Sequence, residues 1–397
     1  MTFRYLDRLI YFLAIGLGSS ICVSNAPLAN AAQSPTGDVT EVPAPRSVSL
    51  EDVQRILAED RGEPDAEVAR QLSALSLTER MSDARLASLE KGLPGTKSRW
   101  ALVAAADASV FLAPPAADVL SQAPPDLNEQ RRMMALTVDY LAKTLPRLPD
   151  FYATRTTIRY DGDVNLPRVG LHRRAASQQD SSWRRVAISK ATVVYRNGAE
   201  LVDPQYWGKH PSHPEGEGLI TRGTFGPILS TVIVDAAHGE TAWDHWERRA
   251  AGALAVFRYR VAENQSHYSV AFHGRANENG VAEQATGYHG EVAIDPATGT
   301  ILRLTVEADP PLGSPIVRGD IMVEYGPVEI SGRTYTCPVR SVSISLTAAG
   351  LMGGRDTFGH PAKTRDATLL NDVTFDDYHQ FRSTSRILTG SVPVSDH

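Results

Sequence analysis

Between Gly287 and Ser345 apolar and polar residues alternate, and short turn-forming clusters interrupt the alternation. Val292 and Ile294 lead into Asp295-Pro296-Ala297-Thr298-Gly299. Leu302, Leu304 and Val306 then fall on one face, with Arg303, Thr305 and Glu307 between them. A period of two on both sides of a Pro/Gly loop predicts an antiparallel hairpin with one face buried and one in water. Ile321, Val323 and Tyr325, then Ile330-Ser331-Gly332-Arg333, then Tyr335 and Cys337 predict a second hairpin, in which Ser-Gly suits the positive backbone angles of a tight turn. The strand-forming run 151–160 opens this half of the chain. Further strands are predicted around 183–196, 254–261, 267–273, 288–295, 300–307, 320–330, 333–346 and 367–376. Phe257, Tyr259 and Val261 share one face; Tyr268, Val270 and Phe272 share another.

Upstream of residue 147 the period is helical. Ser49-Leu50-Glu51-Asp52 resembles a capping box ahead of Val53, Ile56 and Leu57. Val68, Leu72 and Leu75 mark a second helix, Leu86 and Leu89 a third, and Trp100, Val103, Val110 and Phe111 a fourth. Asp126 caps a fifth, whose buried stripe is read as Met134, Val138, Leu141 and Leu145, with Pro146 and Pro149 ending it. Residues 225–237 suit a strand by their β-branched content. They suit a helix through Ile228, Leu229, Val232, Ile233 and Ala236, and Gly239 as a terminator favours the helix. Such a helix is apolar enough to lie across the sheet. Residues 348–363 read as a long Gly-rich loop.

The organisation that follows is a signal peptide over 1–31, a flexible leader over 32–47, a helical region over 48–146 and an antiparallel β domain over 147–390. Arg4 and Arg8 precede an apolar run from Leu9 to Val23, and Ala29-Asn30-Ala31 is a small-x-small site, so cleavage before Ala32 is expected. The run is shorter than the roughly 20 residues of a membrane-spanning helix, so no stable span is expected after cleavage. The expected location is periplasmic or secreted. Cleavage leaves a net charge one unit more negative than the full chain's −6, which gives no bulk attraction for nucleic acid. Of two cysteines only Cys337 then remains, so no internal disulfide forms and the thiol is expected to be buried in a strand.

Chemistry is sparse. His210-Pro211-Ser212-His213-Pro214-Glu215 carries metal-ligand side chains, but its prolines deny the two imidazoles a shared helical face. His238-Gly239-Glu240 and His245-Trp246-Glu247 pair an imidazole with a carboxylate, yet no Gly-x-Ser-x-Gly, His-Glu-x-x-His or phosphate-binding glycine loop accompanies them. No catalytic, metal or cofactor site is assigned. Trp243 and Trp246, with Phe257 and Tyr259, are the candidate ligand-lining residues, since large amphipathic rings suit the wall of an apolar site.

Gly290–Gly299, Ile301-Leu302-Arg303-Leu304, and Ile330-Ser331-Gly332-Arg333-Thr334-Tyr335 leading to Pro338 resemble the strand–Asp-Pro–strand and Gly-x-x-Tyr-x-x-Pro passages of the periplasmic lipoprotein-carrier superfamily. The chain as a whole, helical segment included, is similar to a group of uncharacterised bacterial secreted proteins. The carrier resemblance implies a curved antiparallel half-barrel wrapping a helical lid around an apolar cavity; a preceding helical region of about a hundred residues departs from it. The fold expected is therefore α+β: an N-terminal helical region, then a large curved antiparallel sheet with a covering helix. The functional expectation is an exported, non-catalytic binding protein for an apolar ligand, a lipid or lipidated peptide. The alternatives are an envelope protein-interaction or signalling module with the sheet as scaffold, and a His-dependent hydrolase.

Overall fold

The computed structural model describes residues 46–164, 181–202, 218–219, 227–249, 252–273, 281–311, 313–314, 316–347 and 367–381. The expected signal peptide, most of the leader, the His210–Glu215 loop and the 348–363 loop lie outside the described residues. The fold is α+β, built around an open ten-stranded antiparallel sheet with packed layers on both faces.

A short strand, β1 (Arg46–Val48), leads into α1 (Leu50–Glu59) and α2 (Asp65–Ser73), and β2 (Leu75–Leu77) pairs in parallel with β1. Ser49 and Asp52 form the reciprocal capping box that the sequence implies. Leu75, read as helical, instead enters β2, because pairing with the leader's Arg46 buries Val48 and Leu77 together. Then come α3 (Asp83–Glu90), α4 (Thr96–Ala108) and α5 (Leu127–Thr144). Asp126 caps α5 by accepting from Glu129 N at 2.8 Å. The buried stripe of α5 is Met133, Thr137 and Leu141, while Val138 is exposed. It is turned from the predicted stripe because the Asp295–Gly299 turn docks on the backbone at Leu136 and Thr137. A Cβ on Gly299 would stand 2.4 Å from the Leu136 carbonyl carbon.

The sheet strands are β3 (Phe151–Val164), β4 (Ser181–Arg196), β5 (Ala199–Val202), then, beyond β6 (Gly218–Leu219) and α6 (Pro227–His238), β7 (Glu240–Arg249) and β8 (Gly252–Val261). After β9 (Ser269–His273) and β10 (Val281–Ala285) come β11 (Gly287–Ile294), β12 (Ile301–Asp309), β13 (Ile316–Ile330), β14 (Arg333–Thr347) and β15 (Ala367–Gln380). Their order is β5-β4-β3-β15-β14-β13-β12-β11-β8-β7. Residues 267–273, predicted as part of the large sheet, lie instead at a separate three-stranded sheet, β10-β9-β6. Both predicted hairpins form. Asp295 Oδ1 accepts from Ala297 N and Thr298 N in the first, and Ser331 and Gly332 take φ of 51° and 77° in the second.

The expectation of one wet face is overturned. On one side of the sheet α1–α4 form a cap, in which Ala104, Val110, Trp100 and Phe111 pack on Met322, Val342, Ile344 and Leu370. On the other side α5 and α6 pack on Phe257, Val292, Leu304 and Val323. A register shift at Ala293/Ile294 sends Leu302 to the cap side, away from Leu304. Arg303 and Thr305 are consequently buried, although their position in the alternation placed them in water.

Candidate functional site

Three side-chain groupings have the burial or polarity of a site. The first is the aromatic region around β7, a strand that periodicity alone did not reveal. Residues 227–238 are helical, and α6 presents Ile228, Leu229, Val232, Ile233 and Ala236 to the sheet. The large side chains of this set are worth roughly 1.5–3 kcal/mol each when fully buried. Phe257 and Tyr259 lie directly beneath, almost wholly buried, and the Tyr259 hydroxyl donates to the Thr305 carbonyl. Trp243 and Trp246 are half-buried at the rim, with ring centroids 4.8 Å apart, and Trp243 meets Phe257 edge-on at 5.4 Å. The four candidate lining residues therefore do come together. In this conformation α6 fills the space over Phe257 and Tyr259, and the Trp246 indole donates to the Ala123 carbonyl at 3.0 Å. A tie holds α6 in place: buried Asp235 accepts from His267 N at 2.8 Å, from its Nδ1 at 2.6 Å and from the Tyr288 hydroxyl at 2.9 Å.

The second grouping is charged and lies under the cap. Arg303 grips Glu247 with two bonds of 2.7 Å, and Arg80 Nη2 reaches the same carboxylate at 2.5 Å. Burial pushes the Glu247 carboxyl up, but the Arg303 fork, His245 and both guanidinium charges outweigh it and hold the group well below the carboxylate range. His245 Nδ1 lies 2.7 Å from Asp244 Oδ2, and its Nε2 only 3.5 Å from Glu247. A carboxylate so held is a poor general base; the arrangement fastens the cap to the sheet. A second arginine, Arg340, gathers Asp107, Asp83 and Asp372 in the same manner. His238 Nδ1 donates to the Val234 carbonyl at 2.9 Å, and His379 stacks on Tyr152 with centroids 5.2 Å apart. Among the described residues no three His, Cys, Asp or Glu side chains converge as metal ligands.

The third grouping was missed by the sequence reading. Ser341, Ser343, Ser345 and Thr347 alternate along β14 and lie on the α5/α6 side, because Ser341 pairs with Val323 and Ser343 with Ile321. All four are at least 95 % buried. Ser343 accepts from Asn371 at 3.4 Å, and Asn371 in turn accepts from Arg159 at 3.2 Å. Ser341, Ser345 and Thr347 carry their hydroxyls on the same face of β14 as Ser343. The alternation was visible, but it was assigned to solvent.

No family model matches the chain, and no curated protein matches it. Among solved structures, a LolA-superfamily protein from Nitrosomonas europaea superposes with a TM-score of 0.27 and 8% sequence identity, over 66% of this chain and 97% of that one. At that TM-score the likeness carries no argument about activity.

Proposed function

We propose that the protein is a non-catalytic binding protein for an amphiphile, a lipid or a lipidated peptide. The observation that carries this reading is the buried row of hydroxyl side chains at Ser341, Ser343, Ser345 and Thr347, continuous across β13 with the apolar strip under α6. The ligand's polar group bonds to the hydroxyls and to the Asn371–Arg159 pair. Its apolar part takes over contacts that α6 now makes with Val323, Val292 and Phe257, ending near Trp243. From β14 to β7 is five strand spacings, roughly 24 Å, a span suited to a long acyl chain. The reading includes export, supported by the Arg4–Ala31 pattern; no helix among the described residues is long and apolar enough to cross a membrane.

Mass spectrometry of the natively purified protein tests this. A stoichiometric acyl-containing species supports it; a ligand-free protein that takes up no lipid class contradicts it. One observation favours a different reading, a scaffold for protein interaction. Val232, Phe257 and Ile294 are already packed to full burial, as in a finished core.

A further inference from the structure

The two edges of the large sheet are treated differently. Beside β7 the chain covers its own edge. Leu120 N donates to the Trp246 carbonyl at 2.9 Å, Arg248 N to the Asp118 carbonyl at 2.7 Å, and Val119 bridges Glu247. At the opposite edge β5 pairs with β4 only over Val193–Arg196. From 183 to 192 the outer side of β4 has no strand beside it among the described residues, while its inner side pairs with β3 except at a bulge that leaves Val186 without a partner. Arg184, Arg185, Val186, Ala187 and Ile188 are consecutive exposed residues, with Val186 at 40 % and Ile188 at 50 %. A long exposed edge bearing aliphatic residues is a template for another strand, and proteins usually blunt it.

Charge identifies the occupant. β4 carries Arg184, Arg185, Lys190 and Arg196 and no acidic residue, within a chain whose net charge is −6. Arg185 lies over the Trp100 ring, 4.6 Å from its centroid, and Arg184 has one weak contact with Asp161 at 3.5 Å. Lys190 is exposed. Two copies joined edge to edge would bring these cations together, and like charges opposite each other oppose pairing. We propose that the outer edge of β4 over 183–192 receives an extended acidic segment of a partner protein as an added strand. Main-chain bonds supply the affinity, Val186 and Ile188 an apolar footing, and Arg184 and Lys190 the selection for acid. This surface is independent of the amphiphile site.

The test uses the full chain and a fluorescein-labelled decapeptide of alternating Glu and Val, with a Lys/Val peptide as its counterpart. Anisotropy titration at low salt is expected to show binding of the acidic peptide only, weakening as salt rises. Arg184→Glu combined with Lys190→Glu is expected to lower that affinity at least tenfold; Lys190→Gln alone gives a smaller loss and guards against misfolding of the double variant. Hydrogen exchange is expected to slow at alternate amides between 183 and 192. Equal binding of both peptides, no binding of the acidic one, or protection confined elsewhere overturns the proposal. A dimer in light scattering that Ile188→Lys dissociates also overturns it, assigning the edge to a second copy.

Discussion

Arg80 Nη2 and Glu247 Oε2 stand 2.5 Å apart although 167 residues separate them, so one ion pair joins the helical cap to the edge strand β7. Arg303 completes the group from β12, and none of the three side chains is more than 11 % exposed. Removing the shared acid leaves two buried guanidinium groups without it. Glu247→Ala is expected to cost about 3–5 kcal/mol in urea unfolding at pH 7. The folded pKa is depressed, so the contribution is present above the ordinary carboxylate range and lost as pH falls through and below it. The gap between parent and variant should narrow from pH 7 to pH 3.

Glu307 behaves oppositely. Burial, then Asp320 opposite it on β13, push its carboxyl up to about 7, with His289, Arg318 and Glu291 also facing it. Its folded pKa exceeds its unfolded value, so its contribution is present at low pH and is lost as pH rises through about 7. Glu307→Gln mimics the protonated form. It should match the parent at pH 5 and melt higher at pH 8, by an amount on the order of 1–3 kcal/mol. Scanning calorimetry at the two pH values checks this.

Two glycines separate strain from collision. Gly332 has φ +77° and open space around a Cβ, whereas Gly299 has φ +73° with the α5 backbone 2.4 Å from a Cβ position. Gly332→Ala should cost about 1 kcal/mol, the left-handed penalty alone. Gly299→Ala should cost several times more, since the turn must leave α5. Paired denaturation curves decide.

Cys337 is buried on β14, and burial pushes its thiol up to about 12. Peptide mapping after brief exposure to a thiol reagent should find Cys337 unmodified under native conditions and fully modified in denaturant.

The hairpins and the caps at Ser49 and Asp126 were legible in the sequence, and at 227–238 a helix was favoured over a strand without being fixed. Each hairpin and cap is fixed by residues within a turn or two of one another. Face assignment was not legible. Alternation at Leu302–Glu307 and Ser341–Thr347 says that two faces differ, but not which one meets water, and here the cap covers one and α5 and α6 the other. β7 was illegible for a related reason: Trp243, His245 and Glu247 are separated by a register shift, so no strict period of two survives. Arg303 and Glu247 meet only through tertiary packing, and nothing local announces them. The aromatic set was named from residue type alone; that Trp243 and Phe257 are direct cross-strand partners is a product of the fold. The hydroxyl row was legible only as polar.

That row offers the most direct test of the amphiphile reading. A lysophospholipid below its micelle concentration would be titrated calorimetrically into the parent and into Ser341→Ala, Ser345→Ala and the double variant, with unfolding curves alongside. Deleting these hydroxyls should change stability by no more than about 1 kcal/mol. The account predicts that the parent binds one equivalent and that the double variant loses affinity at least tenfold while remaining as stable. Absence of binding to the parent, or affinity unchanged by the double substitution, would contradict it.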